Sequence, residues 1–133
     1  MRSITEKCLN HFNGQRYELG PWVIMPNHVH LLIQPTEGAS LSKILRGIKG
    51  VSARECNAFL GLSGSFWQAE GFDHIVRSQA QFDHFVRYIA DNPVKARLKK
   101  SSFSLPQSST GNPACVFSNR KQTGLSALPF KSL

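Results

Sequence analysis

His28 and His30 stand one residue apart in the segment VIMPNHVHLLIQP, residues 23 to 35. Side chains of a β-strand alternate between faces, so both imidazoles share one face and Val29 takes the other. Such a pair is either a metal site or two half-buried histidines. Further on, Tyr88 and Asn92 are four residues apart in QAQFDHFVRYIADNP. Phe82, Phe85, Val86 and Ile89 keep helical spacing there and predict the core-facing side of a helix. Tyr88 then lies on the flank of that side, about 100° round, with Asn92 stacked one turn on.

If that flank lies over the histidine strand, two imidazoles, an amide oxygen and a phenol converge. Two imidazoles and an amide oxygen leave open positions on a divalent ion, and phosphate oxygens can take them. A free tyrosine has a pKa of about 10, so its hydroxyl needs such help to act as a nucleophile. The product would be a phosphotyrosine, which conserves bond energy for rejoining.

The elements that must position these groups are legible in outline. SITEKCLNHF predicts a short helix with Ser3 as N-cap and Glu6 closing a capping box. YELGPWVIM and HVHLLIQ predict the arms of a hairpin turning at Pro26-Asn27, with apolar residues on both faces of the first arm's second half. SLSKILRGIKGVSARECNAFLG predicts a helix capped by Ser40 or Ser42, with Leu41, Ile44, Leu45 and Ile48 as its apolar stripe. Lys43, Arg46 and Lys49 follow at steps of three along its flank, and Gly47 and Gly50 weaken its middle. Phe66 and Trp67 sit in a loop, as core filling or as a stacking surface for bases. FDHIVRS predicts a third strand. The helix carrying Tyr88 is expected to stop at Pro93.

The 133 residues suit one domain, taken as residues 1–100. Residues 101–133, rich in Ser, Pro, Gly and Asn and free of acidic residues, are expected to be mostly disordered. No apolar run approaches a membrane span and no secretory signal opens the chain. Cys8, Cys56 and Cys115 suggest neither a disulfide framework nor a zinc ribbon, which together with the missing signal points to the cytoplasm. The net charge of +8 is uneven. Residues 1 to 40 are neutral, and the excess lies beyond, from Lys43, Arg46, Lys49 and Arg54 onward. A basic body of this kind points to a polyanion, most often nucleic acid.

With these residues in place the chain resembles the single-tyrosine HUH transposases, and within them the REP-associated tyrosine transposases of bacteria. MPNHVHLLIQP matches their His-hydrophobic-His signature, LSKILRGIKGVSARECN their basic helix, and FWQAEGFDHIVRSQAQFDHFVRYIADNPVKARL their second half, over about residues 17 to 98. The resemblance implies a ferredoxin-like α+β sandwich, an antiparallel sheet with helices on one face. It implies metal ligands at His28, His30 and Asn92, a nucleophile at Tyr88, and Mg²⁺ or Mn²⁺ as cofactor. Lys43, Arg46, Lys49 and Arg54 would meet DNA. The implied activity is cleavage and rejoining of single-stranded DNA near hairpins through a 5′-phosphotyrosine. Relatives act as monomers or dimers, so a homodimer is one expected state.

Family members normally begin with a strand upstream of the first helix, and this chain starts close to that helix. The usual first strand, central in such a sheet, is therefore expected to be missing, leaving its neighbours unpaired. That sets up a rival function: a catalytically inactive copy that only binds DNA. A small metal hydrolase built on a barrel is a poor fit, because such barrels need about 250 residues. Plainer roles stay open for single residues. Asn92 can simply end a helix before Pro93, the cations of the basic helix can form a solvated face, and His74 and His84 can be structural or touch DNA.

Overall fold

The computed structural model describes residues 1–68, 73–106 and 128–132, with the backbone alone described at 73 and 128–132. The order is α1 (Arg2–Asn10), β1 (Tyr17–Ile24), β2 (Val29–Pro35), α2 (Leu41–Leu60), β3 (Asp73–Val76), α3 (Gln79–Lys95), a short 3-10 turn (Lys100–Ser102) and β4 (Leu128–Ser132). The fold is α+β. Its four strands form an antiparallel sheet in the order β1-β2-β4-β3.

The predicted hairpin forms, with Met25 N–H donating to the His28 carbonyl across the Pro26-Asn27 turn at 2.9 Å. Its pairing is interrupted between Leu19 and Trp22, where Gly20 and Pro21 form an irregularity. Proline cannot donate to a ladder, and β1 is an edge strand, where this is tolerated. The extra residue reverses the alternation of β1. Tyr17 and Leu19 before it share a face with Trp22 and Ile24 after it, while Val23 and Met25 turn to the other side.

That switch gives the sheet two apolar faces. On one, Val29, Leu31 and Ile33 pack with Leu9 of α1 and Ile44 and Ile48 of α2. On the other, Val23, Met25, Leu32 and Val76 pack with Phe82 and Ile89 of α3. Helices thus cover both faces rather than the single face expected. The reason lies in β2, where Leu31, Leu32 and Ile33 are all fully buried. Each buried side chain of this size contributes about 1.5–3 kcal/mol, which neither face could supply if left open to water.

α2 begins at Ser40, whose Oγ accepts from Lys43 N–H, and ends at Gly61, whose φ of 65° allows the left-handed turn that bonds back to the Asn57 and Ala58 carbonyls. α3 is capped by Ser78, which accepts from Gln81 N–H at 3.2 Å. It does not stop at Asn92. Pro93 sits inside its last turn and the helix runs to Lys95. α1 also starts earlier than expected. Thr5 N–H donates to the Met1 carbonyl at 3.0 Å, so Ser3 lies inside the first turn and makes no capping box. Among the described residues no helix is long and apolar enough to cross a membrane.

Two described stretches beyond residue 100 join the fold. Ser104 exchanges two backbone hydrogen bonds with Ile24 along the outer edge of β1, and Phe103 packs against the α3-side core. Leu128–Ser132 forms β4. Residues 107–127, and Cys115 with them, lie outside the described residues. The neighbours of the central position are not left unpaired as expected: β4 lies between β2 and β3.

Candidate functional site

The two histidines enter the site from the start of β2. His28 ends the turn and is half-buried, while His30 is inside the strand and 6% exposed. Their rings meet edge to face, centroids 4.7 Å apart. His30 is the register partner of Val23 on β1, which the irregularity at Gly20-Pro21 has turned to this face.

α3 brings the phenol. Phe82 and Ile89 are buried and Phe85 and Val86 half-buried, so the core side of the helix is the one the spacing predicts. Tyr88, on the flank of that side, packs against the same cluster, and its ring stands 5.2 Å from that of His30 at 73°. Three rings from two elements therefore touch in series: His28, His30, Tyr88. Asn92 is half-buried one turn beyond Tyr88 on the same helix, and its backbone carbonyl accepts from Ala96 N–H at 3.0 Å. That bond uses the main chain and leaves the carboxamide for another role.

The electrostatics favour neutral imidazoles. Burial lowers the pKa of His28 below 6.5. Burial, and secondarily the charge His28 would carry, lowers that of His30 to about 4. Asn27 Oδ1 lies 2.7 Å from His28 Nδ1. A carboxamide oxygen only accepts, so this bond puts the proton on Nδ1 and leaves the Nε2 lone pair open. Neutral imidazole with one nitrogen anchored is the form that ligates metals. Among the described residues no group of three or more His, Cys, Asp and Glu is placed to hold an ion. Ligation of an ion here would draw on the imidazole pair, completed by an amide oxygen or by phosphate.

The basic residues of α2 are not brought to this place. Lys43, Arg46 and Arg54 are carried by a helix that packs against the opposite face of the sheet. Lys49 is committed elsewhere: its ammonium donates to the Gln68 carbonyl at 3.0 Å and pins the loop after α2. In that loop Trp67 packs into the α2-side core and donates through Nε1 to Ser52 Oγ at 2.9 Å, which is a core role. His74 and His84 flank Phe85, with ring centroids 5.3 and 5.5 Å from it.

One residue was missed. Lys95 holds its ammonium 5.8 Å from the centroid of the Tyr88 ring. Seven residues make almost two full turns, so Tyr88, Asn92 and Lys95 share one stripe of α3, and the spacing alone contained that signal.

No solved structure matches the chain. It is similar to the REP-associated tyrosine transposase of Escherichia coli (strain K12), 34% identical over 80 residues that make up 59% of this chain and 46% of that protein. The chain thus spans just under half of that relative. The family model described as "Transposase IS200 like" matches residues 1–92, the stretch that contains His28, His30, Tyr88 and Asn92. The chain therefore belongs to the IS200-like transposase family.

Proposed function

We propose that the chain is a DNA strand-transferase that cleaves and rejoins single-stranded DNA near hairpins, with Tyr88 as its nucleophile. The observation that carries this is the contact between the Tyr88 ring and the buried His30, which is itself in contact with His28. The Tyr88 hydroxyl attacks a backbone phosphorus. The Oη–P bond forms, the P–O bond to the 3′-oxygen breaks, and that oxygen leaves as a 3′-hydroxyl, taking up one proton for the one the phenol loses. The strand on the 3′ side of the break stays on Tyr88 through its 5′-phosphate as a phosphotyrosine, and attack by a 3′-hydroxyl reverses the step.

His28, His30 and the Asn92 carboxamide would hold Mg²⁺ or Mn²⁺, which when bound supplies Lewis-acid polarisation of the phosphate. The protein's own part is placement. Packing of Phe82 and Ile89 on Val23, Met25 and Leu32 fixes α3 against the sheet, and so fixes the phenol beside the imidazoles. Lys95 adds positive charge beside the phenol for an approaching phosphate. Lys43, Arg46 and Arg54 on the far face would contact a hairpin stem through its backbone, which carries affinity rather than chemistry. The DNA in question lies in the cytoplasm, where we place the protein.

The rival reading, binding without cleavage, drew its support from an open central position in the sheet. β4 pairs on both sides of that position, which removes that support. The test is incubation with a hairpin-flanked single strand and Mn²⁺, followed by a denaturing gel. A covalent adduct is expected from the wild type, and retarded but uncleaved DNA would favour the rival.

A further inference from the structure

The sheet has a gap that a distant segment fills. β3 pairs with β4, and β2 has β1 on one side and β4 on the other. β4 is thus what joins β3 to the β1-β2 hairpin. Leu128 to Lys131 pair with β3, and Phe130 to Ser132 pair with β2. The last of these places Ser132 opposite His30, which on its other side is opposite Val23. His30 is therefore held by strand pairing from both directions. Val76, the register partner of Leu128 in β4, is itself a member of the cluster on which α3 rests.

We propose that the edges of β2 and β3 form a binding site for one extended strand, that its occupant is the chain's own segment Leu128–Ser132, and that its seating sets His30 against Tyr88. Recognition is by backbone hydrogen bonds, as in strand addition to an open sheet edge. The segment bears a proline at its second position, where β4 has reached β3 but not yet β2. The stretch 107–127 leads to it from Pro106. At about 3.3–3.6 Å per extended residue, a linker of that length reaches any point on the sheet. The segment is thus a positioning element of the proposed reaction.

Two variants of the full chain test this, and neither assay contains DNA, so a failure of the strand-transfer reading leaves them untouched. The first is Lys131→Pro, at the residue paired with both Leu31 and Asp73, against Lys131→Ala. Exchange of the His74, Ile75 and Val76 amides is expected to speed up at least about tenfold in the proline variant, and the nuclear Overhauser contact between the His30 and Tyr88 rings to disappear. Lys131→Ala should retain both, and a synthetic LPFKSL peptide should restore both to the proline variant. Unchanged exchange and an unchanged ring contact in Lys131→Pro would overturn the proposal. The second variant does not depend on the proline chain folding. Leu128 and Val76 are register partners, close enough for a disulfide. With the native cysteines replaced by serine, Leu128→Cys with Val76→Cys is expected to oxidise to a cross-linked monomer. A cross-linked dimer would give the slot to a second copy, and no cross-link would leave it without this occupant; either result overturns the proposal.

Discussion

The ring of Tyr88 on α3 meets the ring of His30 on β2 edge to face, 5.2 Å between centroids, across an otherwise apolar layer. Neither residue reaches the other through sequence proximity. The contact exists because β1 changes its alternation at Gly20-Pro21, turning Val23 and Met25 to the side where α3 docks. The proposed site is thus built on a packing interface, and its groups are as fixed as that interface.

The two histidines should respond differently to removal. His28 is half-buried at a turn, and His30 is buried in the sheet. Calorimetric titration with Mn²⁺ is expected to show abolished binding for both His28→Ala and His30→Ala. Only His30→Ala should also lower the melting temperature markedly, since emptying a buried ring position costs about 2–4 kcal/mol. Equal Mn²⁺ binding in wild type and His28→Ala would take the site off this strand.

Acid should destabilise the fold through His30. Its pKa is about 4 in the folded chain against 6.5 for the ordinary group. Between these values the unfolded chain binds a proton that the folded chain does not, so stability rises with pH across the window and is fully present above about pH 6.5. It falls as pH drops towards 4. At about 1.4 kcal/mol per unit, the decrease by about pH 4.5 is on the order of 2 kcal/mol. His30→Phe keeps a buried ring without the titration, so its denaturant midpoint should fall less than that of the wild type over the same range. Parallel falls would assign acid sensitivity to other groups.

Lys95→Ala should slow adduct formation about tenfold, a change of about 1.4 kcal/mol in the barrier. Mn²⁺ binding and melting temperature should be unchanged, and Lys95→Arg should recover part of the rate. A Lys95→Ala protein that reacts at the wild-type rate would mean that the ammonium merely covers the ring.

Because α2 lies on the far face, its cations should affect binding and not chemistry. Neutralising Lys43, Arg46 and Arg54 together is expected to weaken DNA binding and flatten its salt dependence. Each phosphate no longer neutralised should reduce the log–log slope by about 0.7 on single strands and about 0.9 on duplex. The rate at saturating DNA should stay as it was. An unchanged salt slope would make this face merely solvated.

The parts of this fold that were legible in the sequence are those specified by short-range patterns. The spacing of Phe82, Phe85, Val86 and Ile89 gave α3 and the flank position of Tyr88. Pro26-Asn27 between apolar arms gave the hairpin and the shared face of the histidines. β4 was illegible because LPFKS is five residues long, contains a proline, and sits in a stretch rich in serine and glycine. Its pairing is long-range, and no local period records it. The covering of both sheet faces was half visible: β2 is apolar at successive positions, Leu31, Leu32 and Ile33, which a strand open on one side would not need. The overrun of α3 past Pro93 reflects a proline placed in the last turn, where few carbonyls remain to be bonded.

The identity of the nucleophile is tested most directly by locating the covalent bond. After reaction with hairpin-flanked single-stranded DNA and Mn²⁺, nuclease trimming and proteolysis, mass spectrometry should find a nucleotide attached through phosphate to Tyr88, and Tyr88→Phe should bind the same DNA without forming the adduct. A nucleotide on any other residue, or an adduct that persists in Tyr88→Phe, would contradict Tyr88 as the attacking group.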